Sequence, residues 1–128
     1  MMGHSGDYTA AVKAVEFLDE MIGKIMKNVL DADGAVIITS DHGNADQMLN
    51  RFTGEVYTEH TANPVPFYLI SDTARTEKAA GQISEIKNPV SGVKGILPDV
   101  TATVLDLLGI PPPGDMDGQS LLPILYNQ

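Results

Sequence analysis

The first pattern in the chain is an amphipathic one. Apolar residues recur at intervals of three and four over residues 12–30, which is the spacing of one face of an α-helix. They are Val12, Val15, Leu18, Met21, Ile22, Ile25, Met26 and Val29. Asp7 or Thr9 stands where a capping side chain would accept backbone N–H groups. We therefore predict an amphipathic helix that ends before Asp31, with Met21 and Met26 packing in the core.

Two later segments are short and continuously apolar. Residues 35–40 (Ala-Val-Ile-Ile-Thr-Ser) and residues 67–70 (Phe-Tyr-Leu-Ile) have the composition of strands buried on both faces. The stretch between them, residues 48–63, is polar and lacks a clear period. We predict a loop there, with a short hairpin around Thr53-Gly54.

The last third of the chain predicts more helix. Residues 72–91 form a polar connector, partly helical over 76–83, and residues 94–97 suit a short strand. A helix is predicted from Pro98 to Leu108, because proline suits a first turn and Gly109 suits the position after the last. Residues 117–123 predict a turn with an apolar plug. The alternation of helix and buried strand indicates a three-layer α/β fold with a small, mainly parallel sheet.

Composition narrows the functional classes. With 43% hydrophobic residues, 20% charged residues and no cysteine, the chain suits one soluble domain in a reducing cytoplasm. No apolar run approaches the roughly 20 residues that span a bilayer, and no export signal is evident, so we expect no membrane association. The net charge of −9, with only 8 Lys and Arg, argues against nucleic-acid binding. Bound metal ions would offset a cluster of carboxylates.

The three histidines, His4, His42 and His60, each lie at a boundary between predicted elements. Any one of them could be a solvated loop residue or a core histidine, but Asp41 beside His42 at a strand end favours a metal site. Imidazole and carboxylate ligands suit Mn²⁺, Zn²⁺ or Fe²⁺, and a catalytic site is favoured because no thiols are present. Adjacent Asp41 and His42 would converge on one ion only if the chain turns, as Gly43 permits.

Several motifs resemble one family. Residues 41–48 (Asp-His-Gly-Asn-Ala-Asp-Gln-Met), followed by residues 60–67 (His-Thr-Ala-Asn-Pro-Val-Pro-Phe), closely resemble the cofactor-independent phosphoglycerate mutases of the alkaline phosphatase superfamily. Residues 2–7 (Met-Gly-His-Ser-Gly-Asp) resemble a third segment of that family. The resemblance continues through residues 95–100, 105–109 and 118–123, so it covers nearly the whole chain.

The resemblance implies a partial alkaline-phosphatase-like domain. Residues 1–128 would be the C-terminal portion of the metal-binding phosphatase domain, without its N-terminal portion and without the inserted substrate domain. It implies two divalent ions, Mn²⁺ first, with Mg²⁺ or Zn²⁺ as alternatives. His4 and His60 would be ligands of one ion, and Asp41 and His42 ligands of the other.

The resemblance also implies the reaction. Members of the family interconvert 3-phosphoglycerate and 2-phosphoglycerate, in glycolysis and gluconeogenesis, through a phosphoserine intermediate. One ion would lower the pKa of the serine, and both would stabilise charge on the transferring group. No serine of this chain matches the motif of the nucleophile, so we expect the isolated chain to be inactive. We also expect it to self-associate, because missing neighbouring strands would leave a sheet edge exposed.

Two alternatives remain open. The chain could belong to another alkaline phosphatase superfamily enzyme, a phosphopentomutase or a phosphatase, although residues 44–48 and 63–67 favour the mutase. It could also be a metal-binding or interaction module without catalysis. An upstream extension of the gene, with an Asp directly before Met1, would argue against the module.

Overall fold

A computed structural model of the chain describes residues 2–72 and 92–126. They belong to two compact units, Met1–Gly81 and Gln82–Gln128. The helix predicted over residues 76–83 lies outside the described residues.

The first unit begins with a 3₁₀ turn, Met2–His4, and a long helix, α1 (Tyr8–Leu30). Asp7 caps α1, since its carboxylate accepts the N–H of Ala10 at 2.9 Å. The helix ends where Asp33 adopts a left-handed conformation, φ 55°, and the N–H of Gly34 reaches back to the carbonyl of Val29. The predicted helix and its Asp7 cap are confirmed.

The apolar face of α1 is only partly covered within the described residues. Only Ala11 is buried, while Val15, Leu18 and Ile25 are each more than half exposed. Met21 and Met26, which were expected to pack in the core, are only half-buried within the described residues. Apolar spacing identifies which face of a helix avoids water, but it does not identify what covers that face.

Two strands follow α1, β1 (Val36–Thr39) and β2 (Phe67–Ile70). Both were predicted, but they pair antiparallel, with Val36 opposite Ile70 and Thr39 opposite Phe67. The described strands therefore do not form the mainly parallel sheet that was predicted. Parallel neighbours need a crossover, usually a helix, whereas residues 40–66 contain none. The strands are also half-buried rather than buried on both faces.

The connection between β1 and β2 contains the predicted hairpin. Leu49 and Val56 face each other in an antiparallel bridge, and the N–H of Asn50 donates to the carbonyl of Glu55 at 2.8 Å. The Asn50 side chain closes the turn by accepting the N–H groups of Phe52 and Thr53. A second bridge, between Gly43 and Thr61, joins the two ends of the connection.

The second unit contains α2 (Pro98–Leu107) and α3 (Leu122–Tyr126). Helix α2 starts at the predicted proline, and Gly109 follows it in a left-handed conformation, φ 65°. Helix α3 was missed, since only a turn was predicted there. The strand predicted over residues 94–97 is wrong, because that segment is irregular.

A fully buried threonine joins the parts of this unit. The Thr103 hydroxyl donates to the carbonyl of Asp99 at 2.7 Å and accepts the N–H of Leu121 at 2.9 Å. The Asp99 carboxylate in turn accepts the N–H groups of Gln119 and Ile96. These bonds hold the segment before α3 against α2. No helix within residues 2–72 and 92–126 has the length and hydrophobicity needed to cross a membrane.

Candidate metal centre

The three histidines of the chain lie together in the first unit. The rings of His42 and His60 stack, with centroids 3.6 Å apart and planes 17° from parallel. The His4 ring lies 5.1 Å from the His60 ring at a tilt of 45°. Residues far apart in sequence thus converge on one exposed cluster.

Gly43 determines how closely two of these rings approach. The N–H of Thr61 donates to the carbonyl of Gly43 at 2.8 Å, so His42 and His60 flank a paired backbone. A Cβ on Gly43 would lie 2.1 Å from Thr61 Oγ1 and 2.7 Å from Asp46 Oδ1. The φ angle of Gly43 is not positive. Glycine is needed here for close approach, not for an unusual turn as the sequence suggested.

Hydrogen bonds fix the orientation of two rings. The Nδ1 atom of His4 lies 2.6 Å from the carbonyl oxygen of Thr58, and Nδ1 of His42 lies 3.1 Å from that of Gly43. A carbonyl oxygen only accepts, so each Nδ1 carries the proton and donates. In a neutral ring this leaves the lone pair on Nε2, which is the arrangement of metal-binding histidines.

The angles between the rings indicate which of them could share an ion. An imidazole binds a metal in its own plane, at about 2.1 Å from nitrogen. Two rings stacked almost parallel, as His42 and His60 are, therefore cannot direct lone pairs at one ion. The tilt of 45° between His4 and His60 does not exclude a shared ion in this way. The planes thus favour separate ions for His42 and His60.

Asp41 lies on the same side of the chain as His42. Its Oδ1 atom is 3.6 Å from Nε2 of His42, which suits two ligands of one ion. Strand β1 ends at Thr39, so the alternation of a regular strand no longer separates their side chains. The chain bends at residues 41 and 42, so the change of direction that the pair requires is present, although Gly43 does not supply it with a positive φ.

A polar cluster behind the histidines was not predicted as part of the site. Asp46 accepts the Thr61 hydroxyl at 3.0 Å and the Asn63 side-chain amide, and Asn44 Nδ2 donates to the carbonyl of Glu59. Desolvation acts to raise the pKa of Asp46, but the hydrogen bonds from Asn63 and Thr61 outweigh it, so the pKa is lowered. The signal in the sequence was the set of polar residues directly following both His42 and His60.

The donor atoms fit divalent cations in pairs. Within residues 2–72 and 92–126, no group of three His, Asp or Glu side chains is placed to hold a single ion. The two pairs expected from the resemblance, His4 with His60 and Asp41 with His42, are each close in space. Nitrogen and carboxylate oxygen are the ligands that Mn²⁺ and Zn²⁺ accept. Asp41, His4 and His60 are exposed, so the cluster is open to solvent.

Comparison with known proteins identifies the family. A sequence model described as the metalloenzyme superfamily matches residues 1–112. The chain belongs to this superfamily. All four candidate metal ligands lie within the matched residues.

Individual known proteins are similar over most of the chain. A 2,3-bisphosphoglycerate-independent phosphoglycerate mutase of Clostridium botulinum is 38% identical over 122 residues, and one of Methanosarcina acetivorans is 43% identical over 122 residues. Each alignment covers 95% of this chain and 21% of the relative. The chain therefore spans about a fifth of the length of these relatives.

A solved structure agrees with this relationship. The crystal structure of Leishmania mexicana phosphoglycerate mutase, determined at low cobalt concentration, matches with a TM-score of 0.66 at 32% identity. The match covers 91% of this chain and 22% of that one. Membership of the metalloenzyme superfamily and this neighbour support the alkaline-phosphatase-like fold inferred from the motifs.

Proposed function

We propose that this chain forms part of the two-metal site of a cofactor-independent phosphoglycerate mutase, an isomerase that interconverts 3-phosphoglycerate and 2-phosphoglycerate. The observation that carries the proposal is the convergence of His4, His42 and His60 beside Asp41. The names of the similar proteins supply the reaction. We place the enzyme in cytoplasmic glycolysis and gluconeogenesis.

The proposed ions divide the ligands into two pairs. His4 and His60 would hold one ion, and Asp41 and His42 the other, which agrees with the tilted and stacked ring pairs. Mn²⁺ is the first choice, with Mg²⁺ and Zn²⁺ as alternatives. When bound, such ions activate a hydroxyl nucleophile and stabilise charge on a phosphoryl group. In this chain, the carbonyls of Thr58 and Gly43 orient the His4 and His42 rings for that task.

The nucleophile would come from outside this chain. Two serines lie near the histidines, but both hydroxyls hold local turns. Ser5 Oγ donates to the carbonyl of Met2 at 2.6 Å, and Ser40 Oγ donates to the carbonyl of His42 at 2.8 Å. Because this chain spans about a fifth of its relatives, we propose that the nucleophilic serine and the groups that bind phosphoglycerate belong to the remaining part.

A chimera tests this function. The matched segment of the Clostridium botulinum relative would be replaced by residues of this chain, and conversion of 3-phosphoglycerate would be followed with enolase as the coupling enzyme. We expect turnover with Mn²⁺ present, and its loss in the His60→Ala chimera. Lys24→Ala is a matched control, because Lys24 is exposed and forms a surface ion pair with Glu20 within α1.

The outcomes separate the alternatives. A folded chimera that binds Mn²⁺ but lacks mutase activity would favour another enzyme of the superfamily. A chimera whose turnover is indifferent to His60→Ala would refute the ligand assignment. Loss of activity in the Lys24→Ala control would show that the assay reports folding and not the site.

We also propose that the isolated chain self-associates. Within the described residues, β1 and β2 pair only with each other, so each has an outer edge, and the apolar face of α1 is exposed. Both features favour association. Sedimentation velocity should show dimers or larger species at micromolar concentration. A monomer at high concentration would contradict the proposal.

A further inference from the structure

The three histidines lie on three segments of the chain. Asn44 belongs to the segment of His42 and contacts the segments of His4 and His60. It lies two residues after His42, and its Nδ2 atom donates to the carbonyl of Glu59, the residue before His60, at 3.0 Å. Its other amide atom faces the segment of His4. A Cβ built on Gly3 would lie 1.5 Å from Asn44 Oδ1.

We propose that Asn44 is a positioning residue, whose side-chain amide fixes the segments of His4 and His60 relative to His42 and so sets the spacing of the three rings. The effect on metal binding rests on the function proposed above, whereas the effect on ring positions does not. Asn44 acts through its contacts with Gly3 and Glu59.

The two contacts of Asn44 differ in kind. The bond to Glu59 is directional, because a carbonyl accepts only from the Nδ2 side of the amide. The contact with Gly3 is one of shape, since the amide fills the space that any side chain at position 3 would need. Removing the amide therefore loosens both segments, while exchanging its NH₂ group for oxygen affects only that of His60.

Neighbouring bonds hold the same region but not the same atom. The Gly43–Thr61 bridge holds the chain after His60. On the other side, Nδ1 of His4 donates to the carbonyl of Thr58, and the Tyr57 hydroxyl reaches the carbonyl of His60 at 3.4 Å. Asn44 holds the carbonyl of Glu59, between these points. Without it, the long bond from Tyr57 and the bridge remain, and the His60 ring can leave the stack on His42.

Three variants of the 128-residue chain separate positioning from general stability. Asn44→Asp keeps the shape of the side chain but places an oxygen against the Glu59 carbonyl. Asn44→Ala removes both contacts. Asn50→Ala is the matched control, because Asn50 belongs to the same connection but closes the hairpin through Phe52 and Thr53.

The first readout needs no metal. Because the chain has only three histidines, ring signals can be assigned by NMR, and contacts between the His42 and His60 rings give nuclear Overhauser effects. We expect these effects to be lost in Asn44→Asp and Asn44→Ala and kept in Asn50→Ala. Retention of the His42–His60 effects in both Asn44 variants would overturn the proposal.

The second readout is Mn²⁺ binding, followed by paramagnetic broadening of the same ring signals. Outer residues that orient metal ligands typically change affinity by about 10- to 100-fold, and we expect Asn44→Asp to weaken Mn²⁺ binding by that factor. Asn50→Ala should bind as the unmodified chain does. Equal affinity in Asn44→Asp and the unmodified chain would overturn the proposal.

The proposed metal site and the proposed role of Asn44 are refuted by different results. If Mn²⁺ broadens no histidine signal in the unmodified chain, the metal site is refuted, while the Overhauser effects still decide the role of Asn44. If both Asn44 variants unfold, hydrogen exchange of the Asn44 side-chain amide in the unmodified chain decides instead. Slow exchange supports the bond to Glu59, and exchange as fast as in a free peptide overturns the proposal.

Discussion

Gly43→Ala is the substitution that should disturb the histidine cluster most directly. The added methyl group would start 2.1 Å from Thr61 Oγ1, whereas ordinary contact begins at about 3.4 Å. Thr61 would therefore have to recede by about 1.3 Å, the difference between these distances. It would carry the neighbouring His60 away from His42, or rotate and break its bonds to Asp46.

The expected cost follows from that overlap. Inserting a methyl group where there is no space typically costs about 1–3 kcal/mol of unfolding free energy. Loss of the hydrogen bonds from the Thr61 hydroxyl to the exposed Asp46 would add little to this cost, because solvent competes for them. For a small domain, each kcal/mol lowers the unfolding midpoint by about 4–8 °C. We also expect weaker Mn²⁺ binding, since His60 would leave its place.

Circular dichroism melting and a Mn²⁺ titration of the same samples test this prediction. Gly23→Ala is the matched control, because Gly23 lies in α1 and a Cβ there would meet nothing within 4 Å. In a helix interior this change stabilises by about 0.5–1 kcal/mol. A Gly43→Ala chain that melts and binds Mn²⁺ as the unmodified chain does would refute the close-approach argument.

Three further predictions concern the chain as a whole and its second unit. The isolated chain should bind Mn²⁺ or Zn²⁺ weakly and show no turnover in the enolase-coupled assay. The reason is that each proposed ion keeps two protein ligands, whereas catalytic sites have three or more. Robust turnover would place the nucleophile inside the chain. Thr103→Val should lower the free energy of unfolding in urea by about 1–3 kcal/mol, since the Leu121 N–H loses its buried acceptor. Replacing the exposed Thr101 by Val should change the free energy of unfolding by under about 0.5 kcal/mol. Equal effects of the two substitutions would contradict the prediction. Backbone N–H groups, that of Gln119 first, lower the pKa of Asp99, so its carboxylate stabilises the fold above the unfolded-state pKa. That contribution is lost as pH falls through the lower folded-state pKa, so melting midpoints should drop as pH falls below the unfolded-state pKa, and less so in Asp99→Asn.

The local parts of the fold were predictable because their signals are local. The helix α1 follows from the spacing of its apolar residues and from Asp7, and the end of α2 follows from Gly109. The direction of strand pairing was not predictable in this way. A short apolar run has the same composition in parallel and antiparallel sheets, and β1 shows no alternation that would distinguish them.

The histidines that converge were predictable from the sequence, but the residues that support them were not. His4, His42 and His60 stood out by their setting, and the structure brings them together. The parts played by Asn44 and Asp46 were missed, because a polar loop residue is indistinguishable in sequence from one that merely closes a turn. Their partners lie 15 to 17 residues away, and such pairings emerge only when the connection between the strands is folded.

The bond between His4 and Thr58 also bears on the order in which the cluster assembles during folding. It closes a separation of 54 residues, whereas Asn44 reaches Glu59 across only 15. Loop-closure entropy grows by about 0.6 kcal/mol for each doubling of length, so the longer closure costs about 1 kcal/mol more. We therefore expect His42 and His60 to meet early and His4 to join last. By the same reasoning, His4 is the first histidine to leave the cluster when the chain unfolds locally. Exchange of the ion proposed for His4 and His60 would therefore follow the fraying of the N-terminal turn.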